Sequence, residues 1–507
     1  MQTPDSTWQH RLAFFDSALF KAVQNQRLFT DSKTFADAKP ALPLKEILAR
    51  YESQCTREGF DLLAFVHDNF TLPADDAPVP ATPQTTVSDY IAGMWDILTR
   101  KPDTPCEDSL IPLQHAYLVP GGRFREIYYW DSYFSSLGLM ADGRSDLVIT
   151  MLENFLDIQA QAGCIPNGNR IYYHTRSQPP ILALLYQLVA PELSETQKQR
   201  AIAGMKTEYA FWMAGADTLS DSQKTHRRVV RLDDGSLLNR YYDDTDLPRP
   251  ESYREDSEEA AGMSDAHARA FYRNLRAACE SGWDFSSRWL SDSSALTSIR
   301  TTHIVPVDLN VLLYRLEETL AGLCPADEGY GRAAARRKQA INCYLWNEEK
   351  GFYFDFDFSH GYQTDIWSLA GCLPLYAGLA NDTRAASVAG HLQTSFVKPG
   401  GLVTTLNNTA QQWDSPNGWA PLQWFAVSAL ERYGYATLAT DIMQRWNGLL
   451  DAYFARHGVM LEKYNVCDMT VKATGGEYEV QLGFGWTNGV YAAFRECLAG
   501  KWQADRL

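Results

Sequence analysis

Two acidic residues stand in surroundings suited to moving protons: Asp284 in ESGWDFSSRWL (280–290) and Glu462 in MLEKYNV (460–466). Asp284 is flanked by Trp283 and Phe285 and follows the flexible pair Ser281-Gly282. An apolar surround disfavours a carboxylate and raises its pKa, which a general acid working near neutral pH requires. Glu462 lies between Leu461 and a Lys-Tyr pair, where it can take a proton from water. One carboxyl that protonates a leaving oxygen and another that activates water on the opposite face are what cleavage of a sugar acetal demands. Each residue also admits a plainer reading, Asp284 as the N-cap of a helix holding Trp289 and Glu462 as a strand end.

Two tryptophan-rich segments read as walls of one sugar pocket: PGGRFREIYYWDSY (120–133) and QWDSPNGWAPLQW (412–424). A hexose offers flat C–H faces and a rim of hydroxyls, so its site needs aromatic platforms beside groups that form paired hydrogen bonds. Arg123, Trp130 and Asp131 put a cation, a platform and an acceptor in one short loop, although Asp131 could equally cap the helix holding Tyr133 and Leu137. IPNGNRIYYHTRSQPP (165–180) adds Asn167, Arg176 and Gln178, and RPESYRED (249–256) adds Arg249 and Glu251. Both are multidentate in character, or else a turn-rich loop and a solvated charge run. Glu477 follows two glycines in ATGGEYEVQLGFGWTNG (473–489), a lid-like loop that lets backbone approach a ligand closely.

Other chemistries find no support. PGGR lacks the GK[ST] of a phosphate loop, and no GxSxG elbow is present. The ten histidines form no HExxH pair, the nine cysteines show no zinc spacing, and DDTD is too short for a calcium loop. Acetal hydrolysis needs neither metal nor cofactor, so none is expected. A formal charge of -16 argues against nucleic acid and anionic membranes, which both ask for a basic face. No stretch approaches the ~20 apolar residues that span a bilayer.

The elements that must position these residues are helical. Leu147, Val148, Met151, Leu152, Phe155 and Leu156 form one apolar stripe at helical spacing, and Val311, Leu312, Leu316, Leu320 and Leu323 another. Long loops rich in Gly, Pro, Trp and Asp join the helices and hold nearly every residue of chemical interest. GFYFDFDF (351–358) predicts a hairpin between helices. The run TLPADDAPVPATPQTT (71–86) reads as an extended linker that closes an N-terminal arm over residues 1–85, leaving 86–507 as the catalytic body.

With these motifs assembled, the chain resembles the trehalases of glycoside hydrolase family 37. The two tryptophan-rich segments resemble the two family signatures, and ESGWDFSSRW, EKYNV and GGEY with GFGWTNG follow in family order. The resemblance implies an all-α (α/α)6 barrel with long active-site loops. It implies hydrolysis of α,α-trehalose to two glucose molecules with inversion, Asp284 as general acid and Glu462 as general base. The substrate-contacting positions it implies are Arg123, Trp130, Asp131, Asn167, Arg176, Ser177, Gln178, Arg249, Pro250, Glu251, Gly282 and Glu477, with Trp413 and Asp414 as pocket residues.

Inversion further implies that the two carboxyl groups stand about 6.5–9.5 Å apart, leaving room for a water. Arg123, Arg176 and Arg249 are expected to keep Glu462 ionised. KATGGEYEVQ is similar to the cytoplasmic bacterial branch, and the odd, scattered cysteines and the first twenty residues, without a secretory signal, lead to the same expectation of a cytoplasmic monomer. Two alternatives accompany this reading: a hydrolase of the same fold acting on another α-glucoside, and a catalytically silent sugar-binding protein.

Overall fold

The computed structural model of the protein describes residues 6–74 and 85–504. Most of the proline- and alanine-rich run proposed as a linker lies outside the described residues.

Six helices that are buried on nearly every side form a closed inner ring. They are Tyr129–Ala141, Leu182–Val189, Val307–Leu323, Leu373–Tyr376, Ala420–Arg432 and Gly485–Leu498, each packed on the next and the last packed on the first. Their sequences explain the placement: YWDSYFSSLGLMA, LALLYQLV and APLQWFAVSALER carry apolar residues all round, so each must be covered on both sides. The seam between the first and last helices closes through two glycines. A Cβ on Gly138 would lie 2.6 Å from Gly489 Cα, so the two backbones meet where no side chain fits.

Outside this ring lie Val87–Leu98, Ser145–Ala162, Glu195–Trp212, Glu328–Tyr344, Asp382–His391 and Ala436–His457, which bury one face and expose the other. The predicted stripe from Leu147 to Leu156 is the buried face of Ser145–Ala162. The second stripe faces inward from Val307–Leu323, with only Leu323 half-buried at its end. The (α/α)6 barrel expected from the resemblance is therefore the observed fold, with strands confined to short pairs in the loops. Among the described residues, no helix is long and apolar enough to cross a membrane.

The hairpin predicted over 351–358 is not formed as such. Phe352–Tyr353 pairs backwards with Trp346–Asn347, while Phe356–Asp357 pairs with Tyr362–Gln363 and Ile304–Val305. The chain parts at Asp355, whose carboxylate is taken by Arg288 and by the Val307 N–H at the start of an inner helix. Local alternation of aromatics suited one hairpin, but that buried ion pair divides it into two.

The N-terminal segment packs against the barrel through a buried charge cluster. Lys33 Nζ donates to Glu126 at 2.6 Å and pairs with Asp37, and Arg170 Nε reaches Glu126 at 2.7 Å. Glu126 belongs to the first tryptophan-rich segment, so the arm is fastened to a site loop.

Candidate active site

Inner helices present their N-terminal ends to one cavity. Trp130 and Asp131 stand in the first turn of Tyr129–Ala141, Trp419 caps the start of Ala420–Arg432, and Phe484 and Trp486 flank the start of Gly485–Leu498. The loops preceding these helices complete the walls. The space between these walls is about 670 Å³ when the solvent at its mouth is included.

Both proposed catalytic carboxyls line it, together with Arg123, Trp130, Asp131, Asn167, Arg176, Gln178, Arg249, Glu251, Gly282, Trp413 and Glu477. Residues far apart in sequence thus converge on one space. Ser177, Pro250 and Asp414 do not line it. Ser177 is tied down by Glu280, which accepts from its N–H at 2.8 Å, and Pro250 opens the short turn that presents Glu251. Asp414 is fully buried, its carboxylate accepting from Ser286, Ser287, Thr405 and Thr409, so it braces the loop after Asp284 from behind.

Asp284 caps no helix. The neighbouring turn Ser287–Trp289 is capped by the Ser286 hydroxyl instead, which leaves the Asp284 carboxyl facing the cavity. Its backbone carbonyl accepts from Gln412, and Cys279 Sγ lies 3.9 Å from Oδ2. Burial pushes this carboxyl up to about 7, against the pull of the Arg249 guanidinium and with a further rise from Glu477. A carboxylic acid in that range holds a proton near neutrality.

Glu462 also lines the cavity, and its backbone carbonyl accepts from Trp486 Nε1 at 2.9 Å. Tyr478 donates its hydroxyl to Oε1 at 2.9 Å, and the Gln481 N–H approaches Oε2 at 3.4 Å. Burial raises the Glu462 carboxyl above its ordinary value, and the Lys463 ammonium is the largest opposing influence, with Arg123 acting the same way. Of the three arginines expected to keep Glu462 ionised, Arg123 does favour its charged form, whereas Arg249 and Arg176 act on Asp284, and Lys463 is the stronger support of Glu462. Asp131 also caps nothing. Burial raises it well above its usual value, with Glu462 and Asp284 adding to the rise.

Charged groups of the walls are held by one another and by buried carboxylates behind them. Arg176 donates to Glu251 at 2.6 Å and also to Asn167 and Asp243. Arg249 is gripped by Asp256 and donates to Glu477 at 2.9 Å, which holds the glycine loop against the pocket. Glu251 Oε2 is a buried acceptor without a partner on the cavity wall. Gln178 accepts from the Trp130 N–H at 2.9 Å, fixing the amide beside the indole.

The aromatic platform is a stack. Trp413 and Trp419 lie parallel, 3.9 Å between centroids, and Trp283 continues the stack on Trp413 at 5.5 Å. Trp130 rests on Gly282, where a Cβ would come within 2.6 Å of the indole and φ is +76°. Gly282 therefore matters through its missing side chain.

Sequence reasoning passed over Phe124, Tyr128, Trp419, Tyr478, Phe484 and Trp486, which all line the cavity. Each lies inside a motif already singled out. Their signal was aromatic density, which marks core and platform alike, and only Tyr478 offers a polar atom to a catalytic group.

Comparison with known proteins bears on this geometry. The family model described as trehalase matches residues 27–498. A periplasmic trehalase of Salmonella paratyphi B is 47% identical over 481 residues, covering 93% of this chain and 84% of the relative. One from Salmonella paratyphi C is likewise 47% identical, over 482 residues, with the same coverage. Among solved structures, a neutral trehalase from Saccharomyces cerevisiae superposes with a TM-score of 0.61 at 26% identity, covering 77% of this chain and 76% of that one. A family 63 mannosylglycerate hydrolase from Thermus thermophilus shares the fold, with a TM-score of 0.54 at 17% identity over 81% of this chain and all of the other.

These matches overturn the cytoplasmic expectation, and with it the assignment to a cytoplasmic branch, because the curated relatives at 47% identity are named periplasmic trehalases. The cysteines were a poor witness. Cys164 and Cys372 are buried as small side chains and Cys279 lines the cavity beside Arg249 and Asp284, so the number of cysteines says little about the redox state of a compartment.

Proposed function

The chain belongs to the trehalase family and hydrolyses trehalose to glucose, and from that premise we propose that it does so with inversion, Asp284 as general acid and Glu462 as general base. Asp284 gives its proton to the glycosidic oxygen as the bond to the anomeric carbon breaks. Glu462 takes a proton from a water whose oxygen bonds to that carbon from the opposite face. One glucose leaves with its α configuration and the other is formed as β.

The observation that carries this reading is the unequal environment of two buried carboxyls in one cavity. Asp284, raised to about 7 by burial, holds a proton near neutrality, while Glu462 accepts from the Tyr478 hydroxyl and the Gln481 N–H and has the Lys463 ammonium as neighbour, contacts that favour its ionised form. Unlike surroundings of this kind are the usual basis of an acid and base assignment. A silent binding protein would need neither.

Arg123, Trp130, Asp131, Asn167, Arg176, Gln178, Arg249, Glu251, Trp413 and Glu477 are proposed as the sugar contacts, with Gly282 admitting Trp130. Their support is the shared cavity and the free acceptor of Glu251. We read residues 1–85 as an arm, 86–507 as the catalytic domain and the protein as a monomer.

The pH dependence of kcat/KM tests the assignment. Activity requires Glu462 ionised and Asp284 protonated, so the rate should fall in acid as Glu462 takes up a proton and fall above about 7 as Asp284 loses one. The acidic limb should lie above the ordinary glutamate range. A profile flat from about pH 4 to about pH 9 would remove the acid and base roles.

A further inference from the structure

Residues 28–34 of the arm form one wall of an outer chamber of about 1870 Å³ that shares Arg123, Glu251, Glu477 and Tyr478 with the catalytic pocket. This stretch is gripped on two flanks. On one, Arg254 donates to the carbonyls of Phe29 at 3.0 Å and Thr30 at 2.9 Å, and Ser32 Oγ donates to Glu255 at 2.6 Å. On the other, Asp31 forms a two-pronged pair with Arg123, Nε to Oδ2 at 2.7 Å and Nη2 to Oδ1 at 2.8 Å. Such a fork fixes orientation as well as position.

Arg123 leads on to the base by two routes. Its guanidinium lies over the Tyr478 ring at 4.7 Å, and the Tyr478 hydroxyl donates to Glu462 Oε1. Its backbone N–H donates to Gln481 Oε1 at 2.8 Å, while the Gln481 N–H faces Glu462 Oε2. Burial would raise the Asp31 carboxyl, but the hydrogen bonds and charge of Arg123, joined by the Lys33 N–H and ammonium, hold it below its ordinary value. The arm has a separate anchor in Lys33, Asp37, Glu126 and Arg170. Loss of the Asp31 carboxylate would therefore release Arg123 without releasing the arm.

We propose that Asp31 is a positioning residue for the hydrolysis: it fixes the Arg123 guanidinium against Tyr478, so that an arm remote in sequence sets the geometry at Glu462. The proposal rests on the reading of Glu462 as base and Arg123 as a sugar contact.

A double-mutant cycle on the full chain tests it, with kcat and KM for trehalose measured for the parent, Asp31→Asn, Arg123→Gln and the pair. Asp31→Asn should lower kcat/KM about tenfold or more, the pair should be no worse than Arg123→Gln alone, and the melting temperature should stay close to the parent's. Asp31→Glu, which keeps the charge on a longer stem, should recover part of the loss and takes the place of Asp31→Asn in the cycle if that variant does not fold. Parental kcat/KM in Asp31→Asn, or losses that add in full, would overturn the proposal while leaving the assignment of Arg123 intact. An Arg123→Gln variant with parental kcat/KM would instead remove the sugar-contact reading, and the role of Asp31 with it.

Discussion

Replacing Asp284 by Asn is expected to lower kcat for trehalose by about 10²- to 10⁴-fold, the range that a positioned general acid contributes. The amide fills the same volume and the backbone carbonyl still receives the Gln412 hydrogen bond, so the pocket keeps its shape. It has no proton to give to the glycosidic oxygen. KM should change little, because the sugar contacts proposed above lie at Arg176, Glu251, Trp130 and their neighbours. Stability should move the other way. A carboxyl whose folded pKa lies above its unfolded value favours the fold at low pH, and that contribution is lost as pH rises through about 7. The Asn variant has no such loss, so above about pH 7 it should melt higher than the parent, with the difference shrinking in acid. Steady-state kinetics and thermal melts at two pH values check both statements. A variant with parental kcat would remove Asp284 from the chemistry.

The second large effect concerns stability. Arg288 is completely buried and holds two carboxylates, donating to Asp308 at 2.7 and 2.8 Å and to Asp355 at 2.6 and 2.9 Å. Its guanidinium lies over the rings of Trp283 and Trp289. Asp355 also receives the first N–H of Val307–Leu323, so this one side chain ties the loop bearing Asp284 to an inner helix. Arg288→Met keeps most of the volume and leaves two buried carboxylates without a counter-charge, at an expected cost of about 3–5 kcal/mol. Urea unfolding monitored by tryptophan fluorescence measures it. Adding Asp308→Asn and Asp355→Asn should restore part of the loss, since the uncompensated charges would be gone. A cost under about 1 kcal/mol would mean that the cluster contributes little to the fold.

How much of this was legible beforehand depends on the range over which each signal acts. The helical stripes at Leu147 to Leu156 and Val311 to Leu323 are local patterns, and the helices lie where those patterns put them. The loops bearing Asp284 and Glu462 were conspicuous because tryptophan and acid occur together there. Closure of the ring through Gly138 and Gly489 was not legible, since a backbone contact between distant glycines leaves no pattern in either stretch. Asp414 looked like a pocket residue because it adjoins Trp413, yet the chain turns them to opposite sides of the wall. Asp31 carried no signal of its own. Its pairing with Arg123 is a fact of three-dimensional packing, as is the removal of Arg176 and Arg249 from Glu462 to Asp284.

Proton NMR of the anomeric signals of glucose, taken in the first minutes of trehalose hydrolysis, tests the central claim most directly. Inversion with Asp284 as acid and Glu462 as base predicts equal initial amounts of α- and β-glucose from the parent, and neither anomer at a comparable rate from Asp284→Asn or Glu462→Gln. Release of α-glucose alone would establish retention and contradict the water-activating role of Glu462, and trehalose left intact by the parent would contradict the activity itself.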